Sequence, residues 1–415
     1  MSSVETAIEL ITKGATRGST CNQRLVEAPW NFDREAGYGP GSSEADPAPA
    51  GTPRQGELPS EYRHASDEEL ASRIEAARSQ LGDELVILGH FYQRDEVVRH
   101  ADFLGDSFQL AKAAQSRPNA RHIMFCGVHF MAETADILST PEQSVSLPNL
   151  AAGCSMADMA DLVSVERCWQ ELSELFGAEP AVPVTYMNSS AALKAFCGRN
   201  NGIVCTSSNA QQVLEWAFRQ NKRVLFFPDQ HLGRNTARAM GIGLDSMPLW
   251  DPRKSLGGNS PDSLSNSKVI LWRGWCSVHK RFNVSQIEQA RSYAPDVRVI
   301  VHPECPMEVV DAADESGSTD YIRRAVAQAS SGQRFAIGTE INLVRRLANE
   351  FPEHEIWCLD SVVCPCSTMY RIHPAYMAWV LDNYMEGRKV NTISVPEAVA
   401  NDARVALNRM LEVAK

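Results

Sequence analysis

Three times along this chain, a short β-branched and apolar run stops at two polar side chains set two residues apart. VILG leads to His90, Phe91 and Tyr92; AVPVT leads to Tyr186, Met187 and Asn188; VRVIV leads to His302, Pro303 and Glu304. Further on in each stretch a small polar turn precedes a helical pattern: Gly105-Asp106-Ser107, then Thr206-Ser207-Ser208-Asn209, then Gly317-Ser318-Thr319. A second apolar run follows (HIMFCG, RVLFFPD, RFAIGTE), and each stretch then approaches a cysteine: Cys154, Cys276 or Cys366. Short apolar runs alternating with helical stretches imply βαβ units and parallel sheets. Repetition of the layout predicts three related α/β units.

The flanks read differently. Ser66, followed by Asp67, Glu68 and Glu69, is an N-cap with early acids, and the helix it starts should run to about Leu81. ELVILG, from Glu84, should be a buried strand. Residues 1–60 look like an appendage: Met1–Lys13 suits a short helix, and the Pro-, Gly- and Ser-rich stretch from Tyr38 to Ser60 suits a flexible linker. Residues 245–268 are polar and punctuated by Gly, Pro and Ser, and are expected to be a mobile surface insertion with no part in the core, a lid being the lesser alternative. The domains expected are a flexible extension at 1–60, a first α/β domain at 61–165 completed by 367–415, a second at 166–280 and a third at 281–366.

Composition narrows the function. The 415 residues are 44% hydrophobic and 22% charged, enough for a sizeable core. A net charge of −11 argues against a nucleic-acid binder, yet a local cationic pocket for a small anion remains compatible with it. No apolar run reaches the roughly 18 residues of a membrane span, and Met1 to Ala15 lacks the pattern of a secretory signal. The expected location is the cytoplasm. Eleven widely spaced cysteines, an odd number, suit metal binding or catalysis better than a disulfide scaffold. The one tight pair is Cys364-Pro365-Cys366.

In an open parallel sheet, ligands sit beyond the carboxyl ends of the strands. The repeated polar residues lie at such ends or at the helix starts that follow. If the units pack around a pseudo-threefold axis, the ends converge on one cavity, which receives one cysteine per unit. Three thiolates could hold zinc plus a water, or a [4Fe–4S] cluster with one iron left open as a Lewis acid. The residues alone leave both open. Helix starts bearing Ser107, Ser207, Ser318 and Thr319 could hold carboxylates or phosphate, although each alone is more often a plain N-cap.

The strings GHFYQ, ADFLGDSFQLAKAA, GVHFMAETADIL, VTYMNSSAALKA, VCTSSNA, IVHPEC, GSTDYI and IGTEINLVRRL, together with the three cysteines, resemble the quinolinate synthase family. The resemblance runs from about Leu85 to the C-terminus, with the motifs in family order. It implies three similar α/β domains with small parallel sheets around a pseudo-threefold axis and one [4Fe–4S] cluster per chain between them. By motif, the cluster ligands would be Cys154, Cys276 and Cys366, the last chosen over Cys364 because Cys366-Ser367-Thr368-Met369 fits the family pattern. The remaining cysteines would be inert thiols. The implied substrate-binding positions are His90, Ser107, Tyr186, Met187, Asn188, Ser207, His302, Pro303, Glu304, Ser318 and Thr319. The implied reaction condenses iminoaspartate with dihydroxyacetone phosphate to give quinolinate, in NAD biosynthesis, with L-aspartate oxidase as the supplier of the imine.

Within that frame Glu304, in a partly dry pocket, is expected to have a raised pKa and to shuttle protons, with Tyr92 and His90 as further catalytic candidates. His100, His122 and His129 receive no function, and Phe91, Trp250 and Trp275 are expected to pack. Two other classes compete: the three-cysteine iron–sulfur reductase that ends an isoprenoid pathway, and a redox-sensing cluster protein. VHPEC, YMNS and CTSSNA suit the synthase, and cysteines so far apart in the chain do not suit an exposed sensor.

Overall fold

The computed structural model describes residues 55–220, 223–360 and 365–413. The helix expected at Met1–Lys13, Cys21, most of the expected linker and Cys364 lie outside the described residues. Thirteen strands build three sheets in chain order: β1 (Leu85–His90), β2 (Phe103–Gly105), β3 (His122–Cys126), β4 (Ser144–Ser146), β5 (Val182–Tyr186), β6 (Ile203–Cys205), β7 (Val224–Phe227), β8 (Leu249–Trp250), β9 (Val269–Trp272), β10 (Arg298–Val301), β11 (Glu315–Ser316), β12 (Arg334–Gly338) and β13 (Glu355–Cys358). The sheets run β2-β1-β3-β4, β6-β5-β7-β9-β8 and β11-β10-β12-β13. Each contains four parallel strands in one spatial order, the second, first, third and last of its unit, and the middle sheet adds β8 as a parallel edge strand beside β9. A further strand, Thr392–Ile393 (β14), returns from the C-terminal segment and pairs antiparallel with β4. The α/β class expected from the alternation is the class observed.

Helices cover these sheets, so the central strands are unbroken apolar runs: β1, β5, β7 and β9 are buried along their whole length. Strand register then sets the site. His90 lies opposite Gly105, Tyr186 opposite Cys205, and Val301 opposite Ser316. In every unit the polar end of the first strand is therefore level with the turn that starts the next helix.

Local signals behave as the residues dictate at Asp67–Leu81, where Ser66 closes a capping box: its hydroxyl accepts from the Glu69 N–H (3.2 Å) and the Glu69 carboxylate accepts from the Ser66 N–H (2.8 Å). Two expectations need correction. The end of the supposed linker is anchored: Leu58 is buried, and Gln55 Oε1 accepts from the Leu150 N–H (2.9 Å) and Asn391 Nδ2 (3.0 Å). Residues 245–268 are not outside the core. They supply edge strand β8 and a short helix, Pro261–Ser265, and bury Trp250 and Leu264. Met247, Trp250 and Leu264, three large apolar side chains within a polar stretch, fold it down, a signal the overall composition hid.

The C-terminal segment ties the units together. Helix Pro374–Met385 packs on Asp67–Leu81, and helix Glu397–Val413 crosses Ala191–Arg199 of the second unit. That crossing is close because Gly198 has no side chain: a Cβ there would collide with the carbonyl oxygen of Asp402. Helix Pro374–Met385 is capped by His373, whose Nδ1 accepts from the Ala375 N–H (3.1 Å). Burial, reinforced by Arg94, pushes this imidazole down to about 3.

Two outcomes follow from this packing. Gly198→Ala should destabilise the chain by roughly 1–3 kcal/mol, as overpacking does, seen as a lower midpoint in denaturant unfolding; an unchanged midpoint would show that the helices separate freely. His373 has a folded pKa below its unfolded value, so its stabilising contribution is complete above pH 6.5 and is lost as pH falls towards 3. Replacing it by Asn keeps a cap and removes the titration. Between pH 6 and 4 the variant's unfolding free energy should fall less steeply than the parent's, by up to about 1.4 kcal/mol per pH unit. Parallel slopes would contradict this.

Candidate active site

The three strand ends open onto one cavity. The first unit contributes His90, Tyr92, Asp106, Ser107 and Cys154; the second Tyr186, Met187, Asn188, Ser207 and Cys276; the third His302, Glu304, Thr319 and Cys366. The helix-start turns are laced to one another: Ser208 Oγ donates to Asp106 Oδ2 (3.0 Å) and Gln109 Nε2 to Asp320 Oδ1 (3.0 Å). Three helix N-termini, beginning at Ser107, Ala210 and Thr319, thus stand beside the cavity with their positive dipole ends. No Lys or Arg is among the described wall residues. Behind the wall Lys194 is fully buried, 5.5 Å from the ring centre of Phe130, with its amine brought down to about 8 by burial.

A buried carboxylate organises the polar side of the cavity. Glu304 Oε1 accepts from the Tyr186 hydroxyl (2.6 Å), and Oε2 lies 2.9 Å from His279 Nδ1. His279 Nε2 continues to Thr339 Oγ1 (3.1 Å), which also meets the Tyr92 hydroxyl (2.9 Å). All three units are joined by this chain of contacts. Burial alone would push Glu304 up; the neighbouring imidazoles and the hydrogen bonds from His279 and Tyr186 outweigh it and hold the carboxyl at about 2. His302 is itself pushed down to about 3, chiefly by burial, and is neutral at neutral pH. The pull on Glu304 therefore comes from His279 and Tyr186. The expectation of a raised pKa at Glu304 is thus corrected: burial favours it, but two partners invisible to a one-residue reading reverse the sign. The Tyr92 and Tyr186 hydroxyls go the other way, pushed well above their usual range first by burial and then by Glu304.

His90 and His302 occupy matching places and are held identically. Each Nδ1 accepts the backbone N–H two residues on, from Tyr92 (3.1 Å) and Glu304 (3.3 Å). That fixes the tautomer with the proton on Nε2. Burial pushes both to about 3, so each is a neutral donor.

The cysteines also repeat. Each is followed, three residues on, by a short 3₁₀ turn: Ala157–Met159, His279–Arg281 and Met369–Arg371. The first N–H of each turn is directed back at the thiol, from Ala157 to Cys154, from His279 to Cys276 and from Met369 to Cys366. The three sulfurs sense one another electrostatically, and all three are free thiols. Burial pushes Cys154 up to about 12 and raises the other two. As bare thiols they keep their protons; a metal centre would have to displace them. Three soft sulfur donors, each with a backbone N–H to stabilise a thiolate, fit an iron–sulfur cluster held by three residues. A second donor set, Cys276, His279 and Glu304, lies within 4.8 Å, but His279 Nδ1 and Glu304 are already bonded to each other.

Of the residues expected at the site, Pro303 and Ser318 are not on its wall. The Pro303 carbonyl accepts from Asn235, and Ser318 caps helix Thr319–Ala327, accepting from the Tyr321 N–H. Sequence reasoning missed His279 and Thr339. The first carries a signal, Cys276-x-x-His279, a spacing that places two donors on one turn; Thr339, at the end of β12, carries none. Phe91 and Trp250 pack, as expected. No helix among the described residues is long and apolar enough to cross a membrane.

The family model described as quinolinate synthetase A protein matches residues 72–412. A quinolinate synthase of Corynebacterium glutamicum is 68% identical over 376 residues, covering 91% of this chain and 95% of the relative. Those of Rhodopirellula baltica and Streptomyces coelicolor are each 52% identical, over 85% and 89% of this chain and 93% of each relative. Neither the reductase nor the sensor reading is favoured by these matches. With a family match across nearly all of the described chain and relatives covered almost end to end, the chain belongs to the quinolinate synthase family.

Proposed function

We propose that this chain makes quinolinate in the cytoplasm by condensing iminoaspartate with dihydroxyacetone phosphate, using one [4Fe–4S] cluster held by Cys154, Cys276 and Cys366. The observation that carries the reading is that these thiols, from three separate units, share a cavity with His90, Tyr186, Asn188, Ser207, His302 and Thr319. When bound, the cluster would supply an iron without a cysteine, able to act as a Lewis acid towards substrate oxygens.

The chain's own groups account for the rest. Both substrates are anionic, one with two carboxylates and one with a phosphate. Ser107 and Thr319 at helix N-termini, Ser207 in the turn before helix Ala210–Arg219, the Asn188 amide and the Nε2–H groups of His90 and His302 offer donors without a cationic wall. Lys194, buried behind Phe130, adds a positive field that burial leaves poorly screened. Condensation releases phosphate and two waters and needs proton moves at carbon and oxygen, with no net oxidation. Glu304 at about 2 is too weak a base to remove such a proton by itself. Its assigned role is to orient and charge-stabilise His279, with His279 and the Tyr92 hydroxyl moving the proton through Thr339. Iminoaspartate hydrolyses readily, so an L-aspartate oxidase is assigned as its supplier.

The direct test is anaerobic purification, counting of iron and sulfide, and assay for quinolinate. About four of each per chain and quinolinate formation are expected; bound zinc, or a cluster without quinolinate, would overturn the reading. Cys154→Ala, Cys276→Ala and Cys366→Ala should each abolish cluster absorbance and turnover, whereas Cys168→Ala, inside a helix of the second unit, should retain both. A retained cluster in any of the first three would remove that residue from the ligand set. Glu304→Gln should keep the cluster yet lower kcat by about 10²-fold or more, the scale of acid–base catalysis forfeited when His279 is no longer oriented and charge-stabilised. Near-normal turnover would exclude Glu304 from the chemistry.

A further inference from the structure

Behind two of the three cysteines stands a buried acid that the chemistry above does not use. Strand β7 is followed by Pro228 and Asp229, and strand β12 by Thr339 and Glu340. Both acids are fully buried, and both are N-caps: Asp229 Oδ1 accepts from the Leu232 N–H (2.7 Å), and Glu340 Oε2 accepts from the Asn342 N–H (2.8 Å). Neither is on the cavity wall.

Glu340 has a second task, and Asp229 faces the equivalent place in its own unit. Glu340 Oε1 accepts the backbone N–H of Cys366 (3.3 Å), and the Asp229 carboxyl is faced by the backbone N–H of Cys276. The Cys276 contact is the looser one, since Asp229 Oδ2 makes no hydrogen bond of full geometry. The first unit departs from the pattern. There the cap of helix His129–Leu138 is Val128, which has no acceptor in its side chain. The equivalence of the first two units is independently marked: the first helical N–H donates to the carbonyl two residues before the cysteine, His129 to Ala152 and Gln230 to Gly274.

A helix cap needs only a short polar side chain; Ser, Thr or Asn suffices and costs nothing to exposed surface. Burying two carboxyls for capping alone is expensive. The cost is offset if each also satisfies the amide of a cysteine loop and fixes where its sulfur points. Resting on the cluster assignment above, we infer that Asp229 and Glu340 are positioning residues that seat Cys276 and Cys366 for the cluster, each joining a rigid helix start to a ligand loop. Groups that orient metal ligands in this way typically govern affinity 10–100-fold.

The test separates capping from seating. Asp229→Ser and Glu340→Asp keep a helix cap but are too short to reach the cysteine amide; Asp229→Asn and Glu340→Gln keep an acceptor oxygen at full reach. Each protein is loaded anaerobically, and the loss of visible cluster absorbance is timed in excess iron chelator, with far-UV circular dichroism as the fold control. The short variants should release the cluster about tenfold faster or more, and the Asn and Gln variants should stay near the parent rate. Release at the parent rate from the short variants overturns the inference, as does equal acceleration in all four, which would mean charge and not reach is what matters. If the parent itself takes up no cluster, the cluster assignment falls, and this inference with it.

Discussion

Glu304 is an ionised carboxylate sealed inside the protein, and an isolated charge there would be prohibitively costly. The cost is met by partners that no single unit contains. Tyr186 and His279 come from the second unit, Glu304 and Thr339 from the third, and Tyr92, at the far end of the chain of contacts, from the first. The carboxylate is held charged across the junction of the second and third units, and the chain of contacts it starts reaches the first. The same placement brings the three cysteine turns to one cavity. Site electrostatics and unit packing are thus one constraint expressed twice.

The threefold layout is approximate, and the departures from symmetry carry the chemistry. Equivalent strand ends bear His90, Tyr186 and His302, so two units present a neutral imidazole and one a phenol. Two residues after the matching histidines stand Tyr92 and Glu304, a donor and an acceptor in equivalent positions. The caps behind the cysteines follow suit, with an acid in two units and Val128 in the first. A repeated scaffold supplies similar backbone geometry, and substitution at equivalent positions turns it into an asymmetric site.

Much of this was legible before any coordinates. Short continuous apolar runs with helical spacers predict the parallel sheets, and polar pairs at three strand ends mark the cavity, because register makes such ends level with the following helix starts. The fourth strand of the first sheet was harder to see: Ser144–Ser146 is three residues long and has no run of its own. Trp250 and Leu264 fold 245–268 onto the second unit by contacts distant in sequence from the polar residues around them. The sign of the Glu304 shift was out of reach for the same reason. Burial is a property a sequence suggests, whereas His279 at 2.9 Å is a neighbour only the fold supplies. Nothing in the sequence singles out Asp229 and Glu340; their place beside the cysteine loops appears only when those loops are folded.

The claim on which this account turns is that three thiols from three units hold a cluster and leave one iron to the substrate. Mössbauer spectroscopy of the iron-57-loaded chain, with and without a dicarboxylate substrate analogue, reads this directly. The account predicts that the analogue shifts the parameters of one iron in four and leaves the other three unchanged. Four irons that respond alike, or none that responds while the analogue is bound, would contradict it.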